Sequence, residues 1–282
     1  MRAGGAHYAL PALAGTLLLL LLPMLATLAL ALFRFDSLSA PQWVGLEQLR
    51  ALAADPLYRQ ALHNSLLLVA LAVPLRLGLA LLLGLLLARR EPLAQAALAP
   101  VLLPVVLPGI VWALAWLWLL SPSHGPLATW LDRDTTAWLL SAPGARLSVI
   151  LVLTLLVGEL VLILRAARRL IPQRHYEVCA LEGASPFFAL RRVTLPALRP
   201  VLGLLALRDL ALCLQLSFLP ALIITKTGPQ FATLYLPYYG WQNAFEYLRF
   251  GYAAAVNSAL VLLVLAGLAG QLWLLRRWQP PR

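Results

Sequence analysis

Four ionisable side chains interrupt otherwise apolar sequence: Arg76, Glu159, Arg208 and Asp209. A charge in an apolar surrounding is costly, so each is a candidate for solute contact or for helix pairing. Arg208 and Asp209 are adjacent, so on a helix they point about 100° apart and do not face each other. Two readings stand for them: each pairs with a neighbouring helix or a partner subunit, or one lies on a solute pathway. Glu159 is lone in its segment and serves equally as a bond between helices or as a ligand contact. Arg76 reads as a snorkelling side chain or as the partner of an acid. Gln215, six residues after Asp209, and Asn257 carry amides that can hydrogen-bond hydroxyl groups.

No catalytic pattern accompanies them. A phosphate-binding loop needs G-x-x-x-x-G-K-[ST], but the single lysine, Lys226, follows Ala221-Leu222-Ile223-Ile224-Thr225, with no glycine. His7, His63, His124 and His175 are scattered, and Cys179 and Cys213 fall in different segments. No metal is expected. A membrane enzyme acting on lipid-linked sugars would need acids or histidines clustered at one face, and the acids here are dispersed. A proton-coupled carrier could use Glu159 and Asp209 and would work without ATP.

The elements that position these residues follow from composition. Of 282 residues, 62% are hydrophobic and 12% charged, with mean hydropathy +0.84. Soluble domains carry about 25% charged residues, so a water-soluble globule and a disordered chain are both excluded. A bilayer core needs about 20 apolar helical residues. Six stretches qualify, near residues 10–33, 62–88, 96–120, 147–164, 201–225 and 250–275. The expected fold is an all-α integral membrane domain, one unit over residues 1–282. The first stretch is expected to be an uncleaved helix, because it is too long for a signal-peptide core. Strand-type alternation is absent, which speaks against an outer-membrane barrel. Residues 34–61 read as a small ordered cap.

Charge sets the orientation. With the N-terminus inside, the inner segments hold 13 basic and 3 acidic residues, and the outer loops hold 7 and 6. The positive-inside rule then places both termini in the cytoplasm. The net charge of +11 is thus an orientation signal, and no nucleic-acid partner is implied.

The longest inner loop, residues 165–199, has local signals of its own. Ile171-Pro172 opens a short helix. Gly183 suits a position after a helix C-terminus, where a left-handed conformation costs glycine little. Ser185 before Pro186 reads as an N-cap with proline at the first helical position. The expectation is a helix–turn–helix between spans four and five, with Phe187 and Phe188 near the turn and Pro196 and Pro200 leading into span five. An interfacial loop with its arginines on lipid headgroups would account for the arginines, though not for Glu177 and Glu182 around a glycine turn.

This stretch resembles the signature loop of the membrane subunits of bacterial ABC importers, E-A-A-x3-G-x9-I-x-L-P. Glu177, Gly183, Leu195 and Pro196 match, Val193 stands for the isoleucine, and Val178 and Cys179 stand for the two alanines. Trp43-Val44-Gly45-Leu46-Glu47, Ala61-Leu62-His63-Asn64-Ser65-Leu66, Thr227-Gly228-Pro229 and Phe250-Gly251-Tyr252-Ala253-Ala254 look like carbohydrate-uptake permeases of the maltose-transporter type. The resemblance implies a permease of a binding-protein-dependent importer for a sugar or polyol, with glycerol phosphate or another solute as the alternative. It implies alternating access in the inner membrane of a bacterium or archaeon. It also implies a second, different permease chain, two cytoplasmic ATPases that hold the ATP and magnesium, and an extracytoplasmic solute-binding protein. The chain itself would bind no cofactor and catalyse nothing. Glu177, Ala180, Glu182, Gly183, Ala184, Ser185, Phe187, Phe188, Leu195 and Pro196 would form the ATPase-coupling loop. Gln215, Asn257, Asp209, Arg208 and Glu159 would be candidates for the pathway.

Among the aromatics, Trp112, Trp116 and Trp118 with Trp130 and Trp138 read as an interfacial belt, with sugar stacking as the other use. Tyr235, Tyr238, Tyr239 and Trp241 read as contacts for a binding protein or as headgroup anchors. Asn64 reads as fixing the start of a helix.

Overall fold

The computed structural model describes residues 6–88, 91–121, 125–130 and 137–277. Arg2, Arg89, Arg90, His124, Asp132, Arg133, Asp134 and Arg282 lie outside them, as do the side chains of His7, Trp130, Trp138, Arg276 and Arg277. The elements in order are α1 (Leu10–Leu30), strands β1 (Phe33–Arg34) and β2 (Gln42–Trp43), α2 (Glu47–Ala54), α3 (Pro56–Leu86), α4 (Pro92–Val106) and α5 (Gly109–Leu119). There follow α6 (Pro126–Trp130), α7 (Ala142–Thr154), α8 (Gly158–Leu170), α9 (Arg174–Leu181), α10 (Pro186–Thr225), α11 (Leu236–Trp241) and α12 (Phe250–Arg277).

Among the described residues, four helices are long and apolar enough to cross a membrane: α1, α3, α10 and the Leu274-terminated part of α12. The count reaches six only if the bent pairs α4–α5 and α7–α8 each make one span. The first pair bends by 103°. Pro108 causes this, because the residue before a proline is pushed out of the helical region, and Leu107 has ψ 140°. The second pair bends by 46° at Leu155–Val157. Hydropathy counts apolar residues and is blind to direction, so neither bend was expected.

A second difference concerns the inner loop. The helix that starts at Pro186 is not short: it runs on through Pro196 and Pro200 to Thr225, 40 residues in all. An interior proline lacks its N–H and presses on the carbonyl four residues back, here that of Arg192. A π-helical turn at Leu190–Thr194 widens the backbone at that carbonyl, and the helix continues without a stop.

The described residues divide into two compact units. The larger holds 63–235 and 264–282. Its main core packs Ala80, Leu98, Leu160, Val161, Leu164 and Leu205. Small residues let backbones approach: a Cβ on Gly158 would lie 2.7 Å from the Val101 carbonyl, and one on Gly84 would lie 3.0 Å from the Leu164 Cβ. In lipid, where apolar burial between helices drives little, such close packing holds the helices together. A second cluster joins Trp116, Leu120, Val152 and Ile224. Trp112 stacks edge-to-face on Trp116 and donates from Nε1 to the Val152 carbonyl at 3.2 Å. Of this trio only Trp118 is exposed in the manner of a belt.

The smaller unit holds 1–62 and 236–263. The expected cap is an antiparallel β1–β2 hairpin pairing Phe33 with Trp43, followed by α2. This short sheet is the one departure from an all-helical chain among the described residues. Gly251 donates to the Phe35 carbonyl at 3.1 Å, and any side chain there would collide with the Phe33 carbonyl. Asp55 accepts from the hydroxyls of both Tyr239 and Tyr252 and from the Leu57 N–H. Burial pushes the Asp55 carboxyl up, but these donors outweigh it and hold it below the usual carboxylate value. Burial, with the bond to Asp55, pushes the Tyr239 hydroxyl up to about 12. Tyr238 and Tyr239 are buried here, and Tyr235 is buried in the larger unit. The three tyrosines are internal packing and not a surface for a partner or for headgroups.

Candidate functional site

The loop after α8 is built from two helix ends. Helix α9 closes with a double C-terminal motif: the Ala184 N–H bonds the Cys179 carbonyl at 2.8 Å, and the Gly183 N–H bonds the Ala180 carbonyl at 3.1 Å. Gly183 takes φ +67° as its sequence position requires. The next helix opens where Ser185 Oγ accepts from the Phe188 N–H at 3.2 Å, with Pro186 at the first position. The turn is therefore rigid, and what it holds out is apolar. Leu181 is 89% exposed and Phe187 69%, beside exposed Val178 and Phe188. Glu177, Ala180, Glu182 and Pro196 are exposed, while Ala184 and Leu195 are half-buried. Isolated exposed apolar residues need no explanation, but a rimmed cluster marks a contact surface.

The loop is fastened from behind by Cys179, which stands at a signature position, and by residues the sequence did not single out. Cys179 is buried. Arg168 lies over the Tyr176 ring at 3.9 Å, and the Tyr176 hydroxyl bonds Thr194 Oγ1 at 2.8 Å. Arg165 and Arg169, read as orientation charges, donate to the Leu87 and Ala88 carbonyls at 2.8 and 3.1 Å. They satisfy the open carbonyl end of α3. An arginine's charge is legible in sequence; its hydrogen-bond partner is not.

Within the apolar helices the charges form two pairs. Arg76 Nε donates to Asp209 Oδ2 and Oδ1 at 2.9 and 3.1 Å, and its guanidinium also reaches the Leu153 carbonyl. Cys213 Sγ donates to the same carboxylate at 3.6 Å. Arg76 is 3% exposed and Asp209 0%. Arg208 bonds Glu159 at 2.6 Å, with side chains 41% and 52% exposed. Glu159 is thus not lone. Gln215 is exposed and lines a cleft of about 280 Å³ with Gly109, Trp112 and Leu153. Asn257 belongs to the smaller unit, half-buried, with its Oδ1 against Gly240. Asn64 lies in the third turn of α3 and not at its start, and it donates to the Phe231 and Leu234 carbonyls at 2.8 and 3.1 Å, which ties that part of the helix to the loop before α11.

An apolar helical chain with an exposed capped turn and charges paired inside its helices fits a membrane transport subunit, and comparison with known proteins decides the family. Residues 80–279 match the model of the binding-protein-dependent transport system inner membrane component. The chain belongs to that family. This permease is 30% identical over 266 residues to the probable ABC transporter permease protein YesP of Bacillus subtilis (strain 168), covering 92% of this chain and 85% of YesP. It is 25% identical over 243 residues to the sulfoquinovosyl glycerol transport system permease protein SmoG of Agrobacterium fabrum (strain C58), covering 83% of this chain and 77% of SmoG. Its fold matches a chain of a bacterial ABC transporter involved in the import of the acidic polysaccharide alginate, with TM-score 0.83 at 20% identity, over 98% of this permease and 96% of that chain. The permease is accordingly an inner-membrane component of an ABC transport system that works with a solute-binding protein.

Proposed function

We propose that this permease forms half of the translocation pathway of an ATP-driven importer for a sugar or related polyol. In this reading each bent pair is one span, which gives six spans with both termini in the cytoplasm. The capped turn with exposed Leu181, Phe187 and Phe188 beside Glu177 carries the proposal. It offers a groove on a cytoplasmic ATPase aromatic anchors that lose water on docking, with a carboxylate for a basic partner. Two ATPases closing on ATP and magnesium push two such loops together, one from this chain and one from a second, related permease. Rocking of the spans then turns the central site outward. The solute meets exposed polar groups. Arg208, Glu159 and Gln215 are the candidates in the larger unit, and Asn257 is a further one. Asp209 acts behind them, holding Arg76 and thereby the helix that carries Arg208. A sugar as solute is supported by the permease-like motifs around Trp43, Asn64 and Gly251 and by the name of SmoG.

The test is reconstitution of the full transporter in proteoliposomes, with uptake of the sugar its binding protein selects. Glu177→Lys and Gly183→Asp are expected to reduce uptake at least about tenfold, the factor of a lost hot-spot contact or a strained turn. Uptake and ATP hydrolysis that stay coupled in both variants would overturn the loop assignment.

A further inference from the structure

On the loop helix α9, Cys179 is buried and Tyr176 half-buried. Tyr176 is held twice. Its ring lies under the Arg168 guanidinium, and Arg168 sits in the last turn of α8. Its hydroxyl meets Thr194 Oγ1, and Thr194 is 3% exposed. Thr194 Oγ1 also faces the Ala189 carbonyl at 3.4 Å. That carbonyl can only accept, so the threonine donates there and Tyr176 donates to the threonine. Thr194 is the last residue of the π turn Leu190–Thr194, the point nearest the loop where the ladder of α10 departs from α-helical bonding. A π turn has poorer bonding than an α turn and recurs at functional sites.

We propose that Tyr176 is a positioning residue for energy coupling, a strut that carries displacement of the loop helix into α10 at its π turn. The proposal rests on the coupling-loop reading above. Arg168 fixes the ring against the end of α8, so motion of α9 is delivered through the hydroxyl to Thr194 and not dissipated by rotation of the tyrosine. Without the hydroxyl the loop still docks, through Phe187, Phe188 and Glu177, but its movement reaches α10 only through the turn.

The experiment uses the complete reconstituted transporter and compares ATP hydrolysis with and without the binding protein carrying the solute it co-purifies with. The readout is the ratio of stimulated to basal hydrolysis. Tyr176→Phe and Thr194→Val are each expected to lower that ratio about threefold to tenfold, the factor one buried hydrogen bond supplies. The double variant should be no worse than either single, because both remove the same contact. Thr194→Ser keeps the hydroxyl and should keep the ratio. Unchanged ratios in Tyr176→Phe and Thr194→Val, with the ratio collapsed in Glu177→Lys, overturn the strut and leave the loop reading standing. An unchanged ratio in Glu177→Lys as well overturns the loop reading and the strut together. Basal and stimulated hydrolysis that fall in step, at constant ratio, mean that Tyr176 only packs, and they also overturn the strut.

Discussion

Arg208 and Asp209 are neighbours in sequence and opposites in setting. Asp209 is wholly enclosed with Arg76, and both its oxygens are within 3.1 Å of one nitrogen. Arg208, about 100° around the same helix, holds Glu159 in a pair that stays about half exposed. The first pair joins α3 to α10 within one chain and leaves no surface for anything else. The second presents two charges and, a nearly whole number of turns later, the Gln215 amide on the same face of α10. A half-exposed ion pair at membrane depth must face water or protein, since facing lipid costs several kcal/mol. One helix therefore separates a charge that fixes structure from a charge left available for contact.

The contrast can be broken most sharply at the buried end. Asp209→Ala leaves Arg76 charged and enclosed, a change worth about 3–5 kcal/mol. It should abolish recovery of folded permease from detergent, scored by size-exclusion profile and thermal melting. The pair Arg76→Met with Asp209→Leu removes both charges and should recover folded protein, because an apolar replacement of a buried ion pair is often neutral. Failure of Asp209→Ala to destabilise would erase the distinction.

At the exposed end the effect moves from stability to transport. Arg208→Gln and Glu159→Gln should melt within about 1 kcal/mol of the parent and yet change the concentration dependence of uptake in proteoliposomes. A large loss of melting temperature with normal uptake would place this pair on the structural side.

The smaller unit supplies an intermediate case. Asp55 takes two tyrosine hydroxyls, and its carboxyl is held below the usual value of 3.8. A depressed carboxylate pKa contributes stability that is present above its unfolded value and fades as pH falls through the folded value. Melting temperature should therefore be insensitive to this site at neutral pH and should begin to lose its contribution only below about pH 4. Asp55→Asn should remove that acid-side loss and lower stability at pH 7 by about 1 kcal/mol. The smallest effect belongs to Arg34 and Glu47, more than half exposed on both sides. Arg34→Ala should shift melting by less than about 1 kcal/mol, and less still in high salt.

The legible and illegible parts of this chain divide along a physical line. Gly183 and Ser185 were readable because caps and left-handed turns are decided within four or five residues. The spacing from Glu177 to Pro196 was readable for the same reason. Spans were readable as apolar mass, but the bend at Pro108 was not, since a composition window carries no direction. Pro196 read as a break because the π turn that precedes it has no sequence mark; Pro200 is carried inside the α-helical stretch that follows. Glu159 read as lone and Tyr239 as outward because their partners, Arg208 and Asp55, are distant in sequence. Tyr176 and Thr194 were missed altogether: nothing in a tyrosine and a threonine 18 residues apart announces a hydrogen bond.

The π turn at Leu190–Thr194 has a consequence for inheritance. It holds one residue more than the α turn it replaces, and each residue turns a helix by about 100°. Phe187 and Phe188 lie on one side of it, and Arg208 and Gln215 on the other. A single-codon deletion there would re-aim the aromatic end relative to the polar end without altering a side chain in either. The reading frame of one turn thus phases two surfaces of the chain, and permeases can diverge in geometry by the count of their residues as readily as by their identity.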